Sequence, residues 1–430
     1  MRKRTREFTK RIFATLMCFV LLVIMVGCQG GTADTSADRT GESNTTENVD
    51  EDTGESKEQV AVDEDLPQIT IAYPTLNPTR KMIACRISNV DYYQSNIFDG
   101  SMLVVNADNS DPDSLIKGVE EAIAAGAQGI VFTPPNNTCL VKISQLCEAA
   151  GVYWTVNYRE VLDEEVRDYI WESPYFVGNI FQDDYQGGYD VIKDVSEAGY
   201  TKVAMISMDK SDTTSINRES GMNKACEEFG VEVVAEARSL SQSSEAAAAV
   251  ESFIVTHPET EVIFIVGTLG TGVLGGVQSA LDQYDPDGKI KICMIDFLEG
   301  FEESLATGRI LSAYNMHVVP VMVAATTLIN NAVLNGERML DENGEAPTIR
   351  FKMAPLGSEQ ELEYFNTYVE GDLPWFDSEY YKNNLLQKFN PDFDVAALQK
   401  IMTEFDINAL ADANQHMQVP HGNYDGVSNL

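Results

Sequence analysis

From residue 66 onward the chain alternates short apolar runs with longer stretches in which apolar positions recur every three or four residues. A run of four to six apolar residues between turn formers marks a buried strand, and the three-to-four spacing marks a helix with one face on a core. Strands are therefore expected at 69–74, 102–106, 129–133 and 152–157, with helices at 79–93, 111–125 and 144–150. Asp111-Pro112 gives one of these helices a capping side chain followed by a residue that needs no amide donor. After a break the pattern resumes. An extended segment at 176–179 precedes strands at 202–207, 231–235, 262–266, 291–296 and 311–316. Helices are expected between them at 183–198, 216–229, 245–256, 272–283 and 299–306, and a long apolar helix at 318–334.

Strands that alternate with helices imply right-handed crossovers and parallel sheets covered on both faces. The roughly 365 residues after residue 66 exceed what one core supports, so the expected class is α/β, with two doubly wound parallel-sheet lobes. Residues 371–430 break the pattern. They are aromatic, acidic and irregular, with one weak helix near 395–404, and form a C-terminal extension of unassigned role.

The start of the chain is of another kind. Arg2, Lys3, Arg4, Arg6, Lys10 and Arg11 precede an uncharged, mostly apolar run of 15 residues, 12–26. That run is short of the roughly 20 residues a membrane span requires, and a basic head before it reads as an export signal, 1–27. Met25-Val26-Gly27-Cys28 resembles the bacterial lipoprotein cleavage box, with Met25 where Leu is usual. That resemblance implies lipidation of Cys28. Residues 29–66 hold 12 acidic residues against Arg39 and Lys57. A stretch so poor in apolar side chains cannot offset its ordering entropy, so 28–66 is expected to be a disordered, self-repelling tether.

Charge narrows the partners. Without residues 1–27, which hold six basic residues and Glu7, 24 basic and 66 acidic residues remain, a formal charge of −42. Nucleic acid is an unsuitable partner for such a chain, because its phosphates require Lys and Arg. Beyond Cys18 and Cys28, five cysteines (85, 139, 147, 226 and 293) lie in apolar contexts without metal-ligand spacing. Buried thiols are expected, and neither a metal nor a cofactor.

The order of elements over residues 68–371 resembles the type I periplasmic binding-protein family, especially its ribose- and galactose-binding members. Several motifs carry the resemblance: Thr75-Leu76-Asn77-Pro78 after the first strand, Gly118 to Ala127 leading into Gly129-Ile130-Val131-Phe132, and Val177-Gly178-Asn179 followed by Asp183-Asp184 and Gly187-Gly188. Arg218-Glu219-Ser220-Gly221-Met222 is similar to the family's Arg-x-x-Gly-aromatic turn, and Met294-Ile295-Asp296 sits where a second crossing is expected. The resemblance implies two lobes joined by a three-crossing hinge, with a solute held at the carboxyl ends of the strands. It places residues 67–178 and 297–317 in the N-terminal lobe, and 179–296 and 318–370 in the C-terminal lobe.

The same resemblance nominates Asn77, Asn157, Arg218, Asp296 and Asn315 as ligand contacts, with His317 as the alternative to Asn315. Carboxylate, amide and guanidinium groups together can satisfy a sugar hydroxyl, which both donates and accepts. Each of these residues could equally be a cap or turn residue. Thr79, Arg80 and Lys81 stand where sugar binders usually place stacking aromatics. Arg80 and Lys81 could face an acidic or phosphorylated solute, or simply open a helix. Tyr158 and Phe181 are the candidates for the missing stacking role. The family implies an ABC permease in the membrane as partner, a lipid anchor and a monomer. A sensor kinase or chemoreceptor is the alternative partner.

One motif points elsewhere. Gly270-x-Gly272-x-x-Gly275 follows a strand and precedes Asp296 by 21 residues, as in the dinucleotide fingerprint of nicotinamide oxidoreductases. Its late position, the export signal and the lack of an accompanying proton-transfer residue weigh against an enzyme. A transcription-factor ligand core is opposed by the signal and tether at the N-terminus.

Overall fold

The computed structural model describes residues 66–417 apart from 77, 79, 80, 297, 316, 317, 370, 372, 405 and 416. The export signal, Cys28 and the acidic tether lie outside the described residues. The first sheet holds β1 (Thr70–Thr75), β2 (Ser101–Asn106), β3 (Gly129–Phe132), β4 (Tyr153–Asn157) and β5 (Phe176–Gln182). Their order is β2-β1-β3-β4-β5, every pair parallel. Helices α1 (Lys81–Ile97), α2 (Pro112–Ala124), α3 (Leu140–Ala150) and α4 (Glu164–Glu172) connect them. Asp111 caps α2 as its sequence promised, its carboxylate accepting the Asp113 amide.

A second unit repeats the design. It comprises α5 (Asp184–Glu197), β6 (Lys202–Ser207), α6 (Thr213–Phe229), β7 (Glu232–Arg238), α7 (Ser243–Thr256) and β8 (Val262–Ile265), followed by α8 (Val273–Tyr284), β9 (Lys291–Ile295), α9 (Phe301–Ala306) and β10 (Ile310–Asn315). The strand order β7-β6-β8-β9-β10 is again parallel throughout. In both sheets the winding reverses beside the first strand, which opens a crevice at the carboxyl edge. Strands such as β8 and β9 read as unbroken apolar runs because both of their faces are covered.

The chain then returns. Helix α10 (Val318–Asn335) packs on α1 and across β3, β4 and β5. Strand β11 (Thr348–Phe351) pairs in parallel with β5, and β12 (Ala354–Pro355) pairs antiparallel with β10. Three connections therefore join the lobes: Gln182 to Asp184, Asn315 to Val318, and Phe351 to Ala354.

These crossings correct the expected lobe boundaries. Asn179 lies inside β5, paired with Val156 and Thr348, so the first lobe runs on to Gln182. Residues 298–315 do not belong to the first lobe. Tyr314 pairs with Ile295, which makes β10 the neighbour of β9 in the second sheet. Asp296 accordingly ends a strand and begins no crossing. The opening of 318–370 also changes sides, because α10 is apolar around nearly its whole circumference and is buried between α1 and the first sheet.

The C-terminal extension is more ordered than its composition promised. Helix α11 (Glu359–Tyr364), a π-helical turn (Phe365–Val369), α12 (Ser378–Leu385), α13 (Val395–Thr403) and α14 (Ile407–Asn414) follow β12. Asp377, Asp394 and Asp406 each cap one of these helices, so part of the acidity is spent on amide groups at helix starts. Among the described residues no helix is long and apolar enough to cross a membrane.

The apolar side chains form three clusters. Leu115, Ile143, Trp154 and Phe176 belong to one on the α2–α3 face of the first sheet. Val191, Met222, Phe264 and Cys293 belong to another on the α5–α6 face of the second sheet. The third spans both lobes: it includes Tyr73, Ile180 and Leu328 of the first, Ile265, Leu274 and Phe301 of the second, and Leu362, Phe365, Trp375 and Tyr381 after the last crossing. Cys85, Cys139, Cys147 and Cys293 are buried, as expected, whereas Cys226 of α6 is only half-buried.

Candidate functional site

The site starts from two glycines. A Cβ on Gly188 would lie 1.9 Å from the Arg218 carbonyl oxygen, and one on Gly221 would lie 1.8 Å from that of Tyr185. Helices α5 and α6 therefore touch backbone to backbone, which only glycine permits. Their contact sets Arg218 of α6 beside Asp184, the first residue of α5. Arg218 is fully buried. Its Nε donates to Asp184 Oδ1 at 2.7 Å, while Nη1 and Nη2 donate to Asp296 Oδ2 and Oδ1 at 2.8 and 3.0 Å. Nη1 also donates to the Val266 carbonyl at 2.7 Å. Gln182 Nε2 completes the shell of Asp184 at 2.9 Å.

Burial pushes the Asp184 carboxyl up to about 6, against the pull of Arg218. Burial acts to lower the guanidinium, but Asp296 and Asp184 outweigh it and hold Arg218 firmly charged. A fork donating to two carboxylates is a rigid arrangement that lysine could not reproduce. Asp296 has φ 86° and Tyr158 has φ 65°. A left-handed backbone at a non-glycine residue is strained, and both instances fall at strand ends on the carboxyl edges.

The structure brings Arg218 and Asp296 together, and distributes the other candidates differently. Asn157 is fully buried, and its amide donates to Met322 Sδ of α10 at 3.5 Å, so it faces the core of the first lobe. Tyr158 is 9 % exposed with the Arg86 guanidinium 4.5 Å from its ring centre, which leaves that face covered. Phe181 carries the Arg350 guanidinium in a similar way, at 5.7 Å. Asn315 is buried and pairs with Ala354, where the second and third crossings meet. Asn77, Arg80 and His317 lie outside the described residues.

Between the carboxyl edges is a cavity of about 400 Å³ whose lining includes Pro134, Arg159, Glu160, Met208, Asp212 and Leu269. Met208 reaches it from beside Gly267, whose Cβ would lie 3.5 Å from Arg218 Nη1. Arg159 and Asp212 face each other across the gap at 3.6 Å. Glu160 of the first lobe accepts from Asn217 of the second at 3.0 Å and from Arg350 at 3.4 Å. A smaller cavity of about 280 Å³ adjoins Glu160, Phe181, Asp184 and Asn217. Arg159, Glu160, Asp184 and Asn217 were not among the expected contacts. Arg159 and Glu160 follow Asn157-Tyr158 directly, so following the chain past the strand end would have found them. Asp184 was read only as part of the Asp183-Asp184 motif, and Asn217 had no sequence signal beyond its neighbour Arg218.

One glycine of the fingerprint has a packing explanation. A Cβ on Gly270 would lie 2.0 Å from the Ser241 carbonyl oxygen, and one on the neighbouring Gly276 would lie 2.0 Å from that of Ser243. These two glycines let α8 begin directly against the start of α7, whereas a Cβ on Gly272 would meet only Ser243 Cβ at 3.9 Å and one on Gly275 nothing within 4 Å. Among the described residues no cluster of three or more His, Cys, Asp or Glu side chains could hold a metal.

Known proteins agree with this architecture. A periplasmic ribose ABC transporter protein from Conexibacter woesei superposes with a TM-score of 0.57 at 16 % identity, covering 70 % of this chain and 96 % of its own. An ABC transporter periplasmic solute binding protein from Actinobacillus succinogenes with bound D-allose gives 0.57 at 19 % identity, covering 69 % and 100 %. One from Bacillus halodurans with bound myo-inositol gives 0.55 at 15 % identity, covering 70 % and 98 %. At these identities the likeness is one of fold. These relatives are solute-binding proteins and not enzymes. No curated protein matches the sequence at a significant level. The family model described as a periplasmic binding protein domain matches residues 95–337, more than half of the chain. The chain belongs to the periplasmic binding protein family.

Proposed function

We propose that this protein is an extracytoplasmic lipoprotein that captures a sugar, or a related small polar solute, between its lobes and delivers it to an ABC importer. The observation that carries this reading is the pairing of a fully buried Arg218 with a partly exposed Asp296 near a cavity lined by both lobes. A cleft with a few fixed polar groups suits a solute rich in hydroxyls. Solved relatives with bound D-allose and myo-inositol support that solute class. Asp296, Arg159, Glu160 and Asn217 are the side chains we assign to the solute, with Arg218 orienting Asp296. The basic head, the apolar run and Cys28 support the lipid anchor.

The test is a thermal-shift screen of sugars, sugar acids, sugar phosphates and nucleosides. A true ligand at 100 times its Kd stabilises the protein by about 2.7 kcal/mol. Asp296→Asn is the informative variant: it keeps the side-chain shape and one of the two acceptor oxygens for Arg218, whereas Asp296→Ala would strip a partner from a fully buried guanidinium. Asp296→Asn is expected to remove most of the ligand-induced shift while remaining folded. An undiminished shift would take Asp296 out of the site, and no shift with any polar solute would overturn the reading.

A further inference from the structure

The fold shared with the solved relatives leaves about 30 % of this chain unmatched, more than the 65 residues before Leu66 can supply. The residues after the third crossing lie outside the stretch matched by the family model, 95–337, and three sets of contacts tie them down. The first set is with the first lobe. Tyr381 stacks on Tyr93 of α1 at 4.3 Å and accepts hydrogen bonds from Thr327 and Asn330 of α10 at 3.1 and 3.2 Å. The Trp375 amide donates to Asn89 at 2.9 Å, and Asn331 accepts the Gln387 amide and donates to the Leu385 carbonyl at 2.7 and 2.8 Å. These bonds are buried or nearly so, and fix this segment in one position.

The second set holds the hinge itself. Gln399 of α13 accepts the Arg350 amide at 3.0 Å and donates to the Arg350 carbonyl at 2.8 Å. The Lys352 amide donates to the Met402 carbonyl at 3.3 Å. Both residues flank the step from β11 to β12. The third set reaches the second lobe. The Leu356 amide donates to the Ala313 carbonyl at 2.9 Å, α11 packs on α9, and α14 packs on α11 and the π-helical turn. Asn414 of α14 closes the circuit by donating to the Trp375 carbonyl at 3.2 Å.

Hinge closure works by changing a few backbone dihedrals in the crossings. Here the Lys352 amide of one crossing is held by a flanking helix, which also grips Arg350 of the adjoining strand, and both flanks of the crossing share a single apolar cluster. We propose that residues 359–414 form an interlobe strap that limits opening of the cleft and holds the solute-free protein in a narrow range near closure. The ligand then binds a nearly preformed site.

Pulsed electron–electron distance measurement tests this in the full chain carrying Cys28→Ser and Cys226→Ser, with spin labels at Thr138→Cys and Lys210→Cys on opposite sides of the cleft. The parent is expected to give one narrow distance distribution without ligand. Gln399→Ala, a half-buried side chain whose loss leaves the core intact, is expected to shift it outward or broaden it by several ångströms. Leu410→Ala, which thins the contact of α14 with α11, should do the same and more strongly. If both variants melt cooperatively and keep the parent's distribution, the strap is a passive cover and the proposal fails. Should Leu410→Ala fail to fold, Gln399→Ala alone decides.

Discussion

Asp184 is the residue in which site and stability meet. Its carboxyl sits against a permanent cation and is still pushed up to about 6, because burial costs the charged form more than Arg218 and Gln182 return. An acid raised in the folded state holds its proton more tightly there than in the unfolded chain. Its contribution is therefore complete below pH about 4 and is lost as pH rises through about 6. The wild-type protein should gain on the order of 2–3 kcal/mol relative to Asp184→Asn between pH 7 and pH 4, as the buried charge is neutralised. Melting curves of both proteins over that range measure it, and a constant difference would contradict the account. Arg218 and Asp296 were legible in the sequence because each ends or follows a recognisable local pattern. Asp184 was not, because its partner lies 34 residues away and meets it only through helix packing. Asn157 was legible as a strand end, but the side of the sheet it faces was not. The alternation along β4 turns Trp154 and Val156 to one cluster and Tyr153 to the other, and Asn157 follows Tyr153 toward α10.

At the scale of elements, the contact of α5 with α6 decides whether the site exists. Gly221→Ala must separate the two helices, since the added carbon would lie 1.8 Å from a carbonyl oxygen. We expect a loss of about 1–3 kcal/mol from overpacking, together with weaker solute binding as Arg218 moves away from Asp184. Gly275→Ala is the control: its Cβ would meet nothing within 4 Å in the first turn of α8, and it should be neutral or slightly stabilising. Calorimetry and a binding titration on both variants check the pair, and equal behaviour would refute the packing argument. The long alternating elements were legible because their faces are governed by one nearby core. Short β11 and β12, and helices α12 and α14, were not, because they are stabilised by partners far along the chain. The side taken by α10 was likewise beyond reach, since its apolar surface suits either sheet.

At the scale of the whole molecule, two sheets with the same strand order would be expected to behave as two bodies. The third apolar cluster alters that expectation, because it includes residues of both lobes and of the C-terminal helices. Heat should therefore melt the lobes together. A single calorimetric endotherm whose measured enthalpy equals the van't Hoff value is the expected record, and two resolved endotherms would show independent folding units. A chain built this way cannot lose one half and keep the other. A fault introduced near Trp375 should be felt as loss of structure around β8, although no strand of the second sheet lies next to it in sequence.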